Sequence, residues 1–217
     1  MKSVAIIYHS GYGHTAKQAQ AVLDGAKSVK EVDVHLISVA DVAQHWEVLN
    51  SADAIIFGAP TYMGNVSGVF KVFADATSKP WFSQKWKNKI AAGFTNSASM
   101  NGDKYASIQY LWTLAMQHGM IWVGNPFMPE QQSGVPYDQA LNRLGSWTGM
   151  MAQAGHSAPA DSFVPGDVKT ARLHVALVPR FAIAVTTQTL KRLGELYDSV
   201  RDRGVYFHTH LNENNRP

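Results

Sequence analysis

The sequence predicts an α/β protein: a parallel sheet with helices on both faces. Three observations carry that prediction. Short apolar runs alternate with segments of helical periodicity over residues 1–123. The runs are nearly continuous in apolar residues, as strands buried on both faces are. Small, polar loops follow the first, third and fourth runs, and right-handed crossovers put those strand ends on one edge of the sheet.

The elements follow in order. Strand 1 is read over 4–8, Val4-Ala5-Ile6-Ile7-Tyr8, and the helix after it over 16–27, with Ala16, Ala19, Val22, Leu23 and Ala26 on one face. Strand 2 covers 32–39, with His35 in alternation as an edge or surface residue. Asp41 is a candidate cap for a short helix through Val42, Trp46 and Leu49. Strand 3 covers 53–60 and ends in a turn, Thr61-Tyr62-Met63-Gly64-Asn65. Val69, Phe70, Val72 and Phe73 mark a helix that Lys79-Pro80 ends, and Trp81-Phe82 begins an aromatic connection. Strand 4 covers 89–94 and runs into a third polar loop at 95–102. A helix over 105–117 stops at Gly119, and 120–123 is strand 5. Residues 125–166 read as a long loop rich in Gly, Pro, Ser and Gln; structureless segments of that length are usually functional or partner-bound. A helix begins at 167–174, Pro179 interrupts it, and 189–200 is an amphipathic helix. The expected organisation is one domain over 1–200 with a polar tail at 201–217.

Composition narrows the function classes. The chain has 217 residues and a formal net charge of +3, from 19 basic and 16 acidic side chains without any Lys/Arg block. Nucleic acid is therefore not an expected partner. The absence of cysteine excludes disulfides, thiolate metal sites and a cysteine nucleophile. Met1-Lys2 leads directly into strand 1, without the h-region of a signal peptide. No run approaches the ~20 apolar residues of a membrane span. A cytoplasmic protein that is not membrane-embedded is the expectation. His208-x-His210 lacks a third ligand and reads as tail, so no metal site is expected.

The chemistry-bearing stretch is Ser10-Gly11-Tyr12-Gly13-His14-Thr15, between strand 1 and its helix. Glycines let the backbone curl close to a ligand, and the N–H groups of the turn and helix N-terminus favour an anion. The loop has no Gly-Lys-Ser/Thr and no third glycine, so it is neither a P-loop nor a dinucleotide fingerprint. Taken alone, such a turn is more often plain structure than a site. Its position changes that: open α/β sheets bind ligands at the C-terminal ends of their strands, where all three polar loops converge.

Three segments resemble the flavodoxin-like flavoproteins, and within them the WrbA-type NAD(P)H:quinone oxidoreductases. They are Tyr8-His9-Ser10-Gly11-Tyr12-Gly13-His14-Thr15, the strand leading into Pro60-Thr61-Tyr62-Met63-Gly64-Asn65, and Leu114-Ala115-Met116-Gln117-His118-Gly119-Met120. The resemblance is continuous over 2–137 and looser to about 174. It implies a flavodoxin-like three-layer fold with a five-stranded sheet of order 2-1-3-4-5, non-covalent FMN, NADH or NADPH as electron donor, and a quinone or similar acceptor. It implies that residues 10–15 hold the FMN phosphate, with Pro60 and 61–65 flanking the isoalloxazine ring. Asn96, Ser97, Ala98, Ser99, Met100 and Asn101 then line the ring's other edge. It also implies a homotetramer in which Trp81 reaches a neighbouring subunit's flavin, His118 sits by the ring and Tyr12 meets the nicotinamide. The chain departs from the family's usual Arg-Phe at Tyr62-Met63 and its paired histidines at Gln117-His118. Its third loop is also poorer in glycine than the family's.

The expected reaction is a two-electron transfer from NAD(P)H to a quinone, with the flavin carrying the chemistry. His118 has two readings: charge stabilisation or proton donation at the acceptor, or capping and packing at a helix end. Trp81 either stacks on the bound nicotinamide or quinone or packs an interface. Tyr62 either stacks on the flavin or is a surface tyrosine. The alternative function is a flavodoxin-type one-electron carrier that docks onto redox partners.

Overall fold

In the computed structural model, residues 1–155, 159 and 162–184 are described. The main compact unit is Met1–Ala182; a second, Ile183–Pro217, lies almost wholly outside the described residues, as do the predicted helix at 189–200, the tail and His208-x-His210.

The chain order is β1 (Lys2–Tyr8), α1 (His14–Lys27), β2 (Val32–Ser38), α2 (Trp46–Ser51), β3 (Ala54–Tyr62), β4 (Asn65–Val66), α3 (Gly68–Ala76), α4 (Ser78–Phe82), β5 (Ile90–Ser97), α5 (Lys104–Gln117), β6 (Ile121–Trp122), β7 (Met150–Gln153) and α6 (Pro165–Ala184). The long strands are parallel and lie in the order β2-β1-β3-β5-β6. Counted by main strands alone, this is the expected 2-1-3-4-5 arrangement of a flavodoxin-like sheet. β4 and β7 bring the strand count to seven.

Strand alternation builds the layers. Ala5 and Ile7 of β1 and Ile55 and Phe57 of β3 point to one face, packing with Leu49, Phe70, Phe73, Trp86, Ile108 and Leu111. That places α2, α3 and α5 on one side. Val4, Ile6, Ala54 and Ile56 point to the other, packing with Ala19, Val22 and Ala26 of α1 and Ala171, Val175 and Val178 of α6. A Cβ at Gly25 would lie 2.0 Å from the Arg172 carbonyl oxygen, so α1 and α6 approach backbone to backbone there.

Several elements differ from expectation. Ser38, not Asp41, caps the helical turn at Val39–Gln44, because its hydroxyl accepts from the Ala40 N–H. Pro80 does not end α3; it sits in the first turn of α4, where no intrahelical N–H is required. The turn at 61–65 is a hairpin: β3 continues to Tyr62, Met63 and Gly64 have φ of +48° and +81°, and β4 pairs back on β3. The long segment is not structureless. Met150–Gln153 adds to β5 beyond β6, so β6 and β7 share one edge of β5, separated by an excursion of the chain. α6 runs on through Pro179. A proline forfeits one helix hydrogen bond; the fully buried Val175 and Val178 hold the helix on the sheet across that gap.

Candidate active site

The C-terminal ends of β1, β3 and β5 open onto a cleft of about 810 Å³, a size suited to a cofactor. Tyr12, His14 and Thr15 come to it from the first loop and α1, Pro60, Thr61, Tyr62 and Met63 from the β3–β4 hairpin, and Asn96, Ser97 and Ala98 from β5 and the loop after it. Ala154 and Gly155, just after β7, complete the wall.

The first loop is held by its own atoms. Gly13 N–H donates to Ser10 Oγ at 3.1 Å, and Gly13 takes φ +90° as the chain turns into α1. A Cβ on Gly11 would stand 2.5 Å from the Tyr62 hydroxyl, and the Tyr62 ring meets Tyr12 edge-on at 6.1 Å. Burial and the neighbouring Tyr12 raise the Tyr62 phenol's pKa above its usual range. α1 begins without a side-chain cap and without an acidic residue in its first turn. A helix N-terminus favours negative charge, so this end of the cleft suits an anion.

Behind the cleft lies a buried polar lattice. Asn96 Nδ2 donates to Thr15 Oγ1 at 2.9 Å and to Gln18 Oε1 at 3.2 Å, and Gln18 Nε2 donates to the Thr95 carbonyl at 3.3 Å. Thr61 Oγ1 lies 2.8 Å from both Thr95 Oγ1 and Ser107 Oγ. These bonds tie α1, β3, β5 and α5 together beneath the site.

Of the other sequence-predicted residues, Ser10, Gly11 and Gly13 shape the first loop, while Gly64 and Asn65 form the hairpin tip and its return. Ser99, Met100 and Asn101 follow Ala98 in the third loop. The structure does not bring His118 to the cleft. α5 starts at the cleft edge and runs back about 20 Å for its length, so its C-terminal cap, His118, lies at the opposite edge of the sheet. There Nε2 hydrogen-bonds Thr77 Oγ1 at 2.9 Å, the ring packs on Trp86 at 4.4 Å, and burial pushes its pKa down to about 4. Trp81 does not line the cleft either; it is half-exposed on α4, beside the exposed Phe82.

Sequence reasoning missed Gln18, Lys104, Gln153, Ala154 and Gly155. Gln18 carried one signal: it stands three residues after Thr15, on the inward face of α1. The rest carried none that a single sequence displays. Among the described residues, no group of three or more His, Asp or Glu is placed to hold a metal ion, and no helix is long and apolar enough to cross a membrane.

Comparison with known proteins agrees with this geometry. The NADPH-dependent FMN reductase family profile matches residues 3–133. Flavodoxin FldP of Pseudomonas aeruginosa (strain UCBPP-PA14) is 44% identical over 181 residues, covering 83% of this chain and 96% of the relative. An NAD(P)H dehydrogenase (quinone) of Sinorhizobium fredii (strain NBRC 101917 / NGR234) is 34% identical over 152 residues, 62% of this chain and 76% of the relative. The crystal structure of a WrbA-like flavodoxin from Agrobacterium tumefaciens is 40% identical with a TM-score of 0.68, covering 86% of this chain and all of that one. Family and fold together indicate FMN as the cofactor and NAD(P)H as the electron donor. The chain belongs to the NADPH-dependent FMN reductase family, as a WrbA-type FMN flavoprotein.

Proposed function

We propose that the cleft binds FMN and that the protein passes two electrons from NAD(P)H to a quinone. The observation that carries the reading is the convergence of three loops on one cleft at the uncapped N-terminus of α1. The N-terminal turn of α1, with the hydroxyls of Ser10 and Thr15, suits the FMN phosphate. Tyr62, Met63 and Pro60 offer flat and apolar surface to the ring, and the 96–101 loop offers backbone N–H groups to its polar edge. The exposed Tyr12 stands where a nicotinamide or quinone would enter.

Bound FMN supplies hydride chemistry; the chain's own residues bind, orient and exclude water. No acid–base pair is assigned. His118 is neutral, buried and shielded by Trp86, so within one chain its role is packing at the end of α5. The quinone acceptor is supported by the Sinorhizobium fredii relative. Assembly as a homotetramer is supported by exposed apolar side chains on neighbouring helices: Val69 and Val72 on α3, Phe82 on α4, Trp112 and Met116 on α5. Trp81 belongs to that surface, where packing against another subunit is its simplest use.

A second reading, a one-electron carrier, is favoured by the Pseudomonas aeruginosa relative, a flavodoxin at 44% identity. Anaerobic addition of NADH or NADPH to the FMN-loaded protein separates the two. The reductase loses its visible flavin absorbance with at least one nucleotide and regains it with benzoquinone. A carrier keeps its absorbance with both nucleotides.

A further inference from the structure

Lys104 is the first residue of α5, and its side chain is wholly buried. Its ammonium donates to Ser97 Oγ at 2.9 Å, to the Ser99 carbonyl at 2.6 Å and to the Met100 carbonyl at 2.8 Å. All three N–H bonds are thus spent on the end of β5 and the loop that follows it, and Ser97 itself lines the cleft. Because trans peptides set C=O and N–H in opposite directions, the N–H groups of Met100 and Asn101 point away from the ammonium.

Among the described residues, no carboxylate touches this charge. The nearby Asp167 is bound by Arg143 through two bonds of 2.8 Å, so the pair is close to neutral as seen from Lys104. Arg143 and Asp167 act on the ammonium in opposite senses, and burial, the larger effect, lowers its pKa to about 8. A buried cation without a contact anion is costly, and an aliphatic residue would fill the same space. Gln153 braces the loop from the other side. It donates to the Ala98 carbonyl at 3.2 Å, while its own N–H donates to Asp167.

We propose that Lys104 is a positioning residue for FMN, fixing the 97–101 loop and supplying a buried positive charge that favours the reduced cofactor. The proposal rests on the cleft being the FMN site. Its chemical basis is simple: hydride uptake adds two electrons and one proton to the flavin, which leaves one net negative charge on the ring until a second proton arrives. A cation behind the cleft wall stabilises that charge and has little to act on in the neutral oxidised ring.

The test compares FMN-loaded wild type with Lys104→Met, which keeps the apolar stem of the side chain without its ammonium, and Lys104→Gln, which is neutral but still donates to the loop. Lys104→Arg serves as the charge-preserving control. Three quantities are read: the two-electron midpoint potential, the Kd for oxidised FMN, and amide exchange across 97–101 in FMN-free protein. Both neutral variants should favour reduced over oxidised FMN about tenfold less than wild type, a fall of about 30 mV, with Lys104→Arg restoring most of it. Exchange across 97–101 should quicken more in Lys104→Met than in Lys104→Gln. An unchanged potential in whichever neutral variants fold would overturn the proposal. A parallel Kd on the Ser10→Ala, Thr15→Val protein separates the two levels. Weakened FMN binding there with an unchanged potential in the Lys104 variants overturns the role of Lys104 alone. Unchanged binding there overturns the cleft assignment and the proposal with it.

Discussion

Asn96 donates its side-chain amide to the hydroxyl of Thr15 across 2.9 Å, joining residues 81 apart in the chain. The bond couples the end of β5 to the first turn of α1, so the first and third loops are set relative to one another. Asn96→Ala would leave Thr15 and Gln18 with buried groups unsatisfied. It should cost about 2–3 kcal/mol in denaturant unfolding and weaken FMN binding with it, because two cleft walls move independently. Asn96→Asp, which loses the donor but keeps the shape, should also weaken FMN.

The excursion between β6 and β7 carries its own anchor. Arg143 and Asp167 are both 2% exposed and bond through Nε and Nη2. Asp167→Asn strands a buried guanidinium and should destabilise by about 3–5 kcal/mol, detected as a lower urea midpoint. Because Asp167 also accepts from the Gln153 N–H, faster amide exchange in β7 should accompany the loss.

Two buried histidines make the fold acid-sensitive. Burial lowers the pKa of both His118 and His174 to about 4, and each has a buried Nδ1 with no partner among the described residues. The unfolded chain, with an ordinary histidine pKa near 6.5, binds more protons than the native one between pH 4 and 6.5. Stability is therefore fully present above about 6.5 and is lost as pH falls toward 4, by up to about 1.4 kcal/mol per pH unit for each histidine. Urea unfolding at several pH values reads this slope. His118→Phe should reduce it, with the ring still packed against Trp86.

The approach of α1 to α6 depends on Gly25. A Cβ there meets the Arg172 carbonyl oxygen at 2.0 Å, a backbone atom that cannot swing aside. Gly25→Ala should lower stability by about 1–3 kcal/mol, against the gain alanine brings to an isolated helix. A stabilised Gly25→Ala protein would mean that α6 does not pack there.

Much of the fold was legible because its signals are local. Unbroken apolar runs announced the central strands, and Gly119, with φ +67°, ended α5 where a left-handed residue was expected. Two kinds of feature were hidden. Pairing between distant segments leaves no local mark: Met150–Gln153 is four residues of ordinary sequence that become a strand only because β5 extends past β6. Tertiary packing also overrode local chemistry, as where α6 passes Pro179. In the site, the loops themselves were readable from glycine and small polar residues. Lys104 was not, since nothing in Asp103-Lys104-Tyr105 distinguishes a wholly buried lysine from a solvated one. His118 looked like a site residue through resemblance, but the direction of α5 carries it to the other edge of the sheet within one chain.

The central claim, that the first loop and α1 hold the FMN phosphate, is tested most directly by the FMN dissociation constant of the Ser10→Ala, Thr15→Val double variant. Charge-assisted hydrogen bonds of this kind contribute about 1.5–3 kcal/mol each, so losing both should weaken FMN at least about a hundredfold, and should weaken riboflavin, which lacks the phosphate and feels only the broken Asn96–Thr15 bond, markedly less. An FMN dissociation constant equal to that of wild type in a folded double variant would contradict the account.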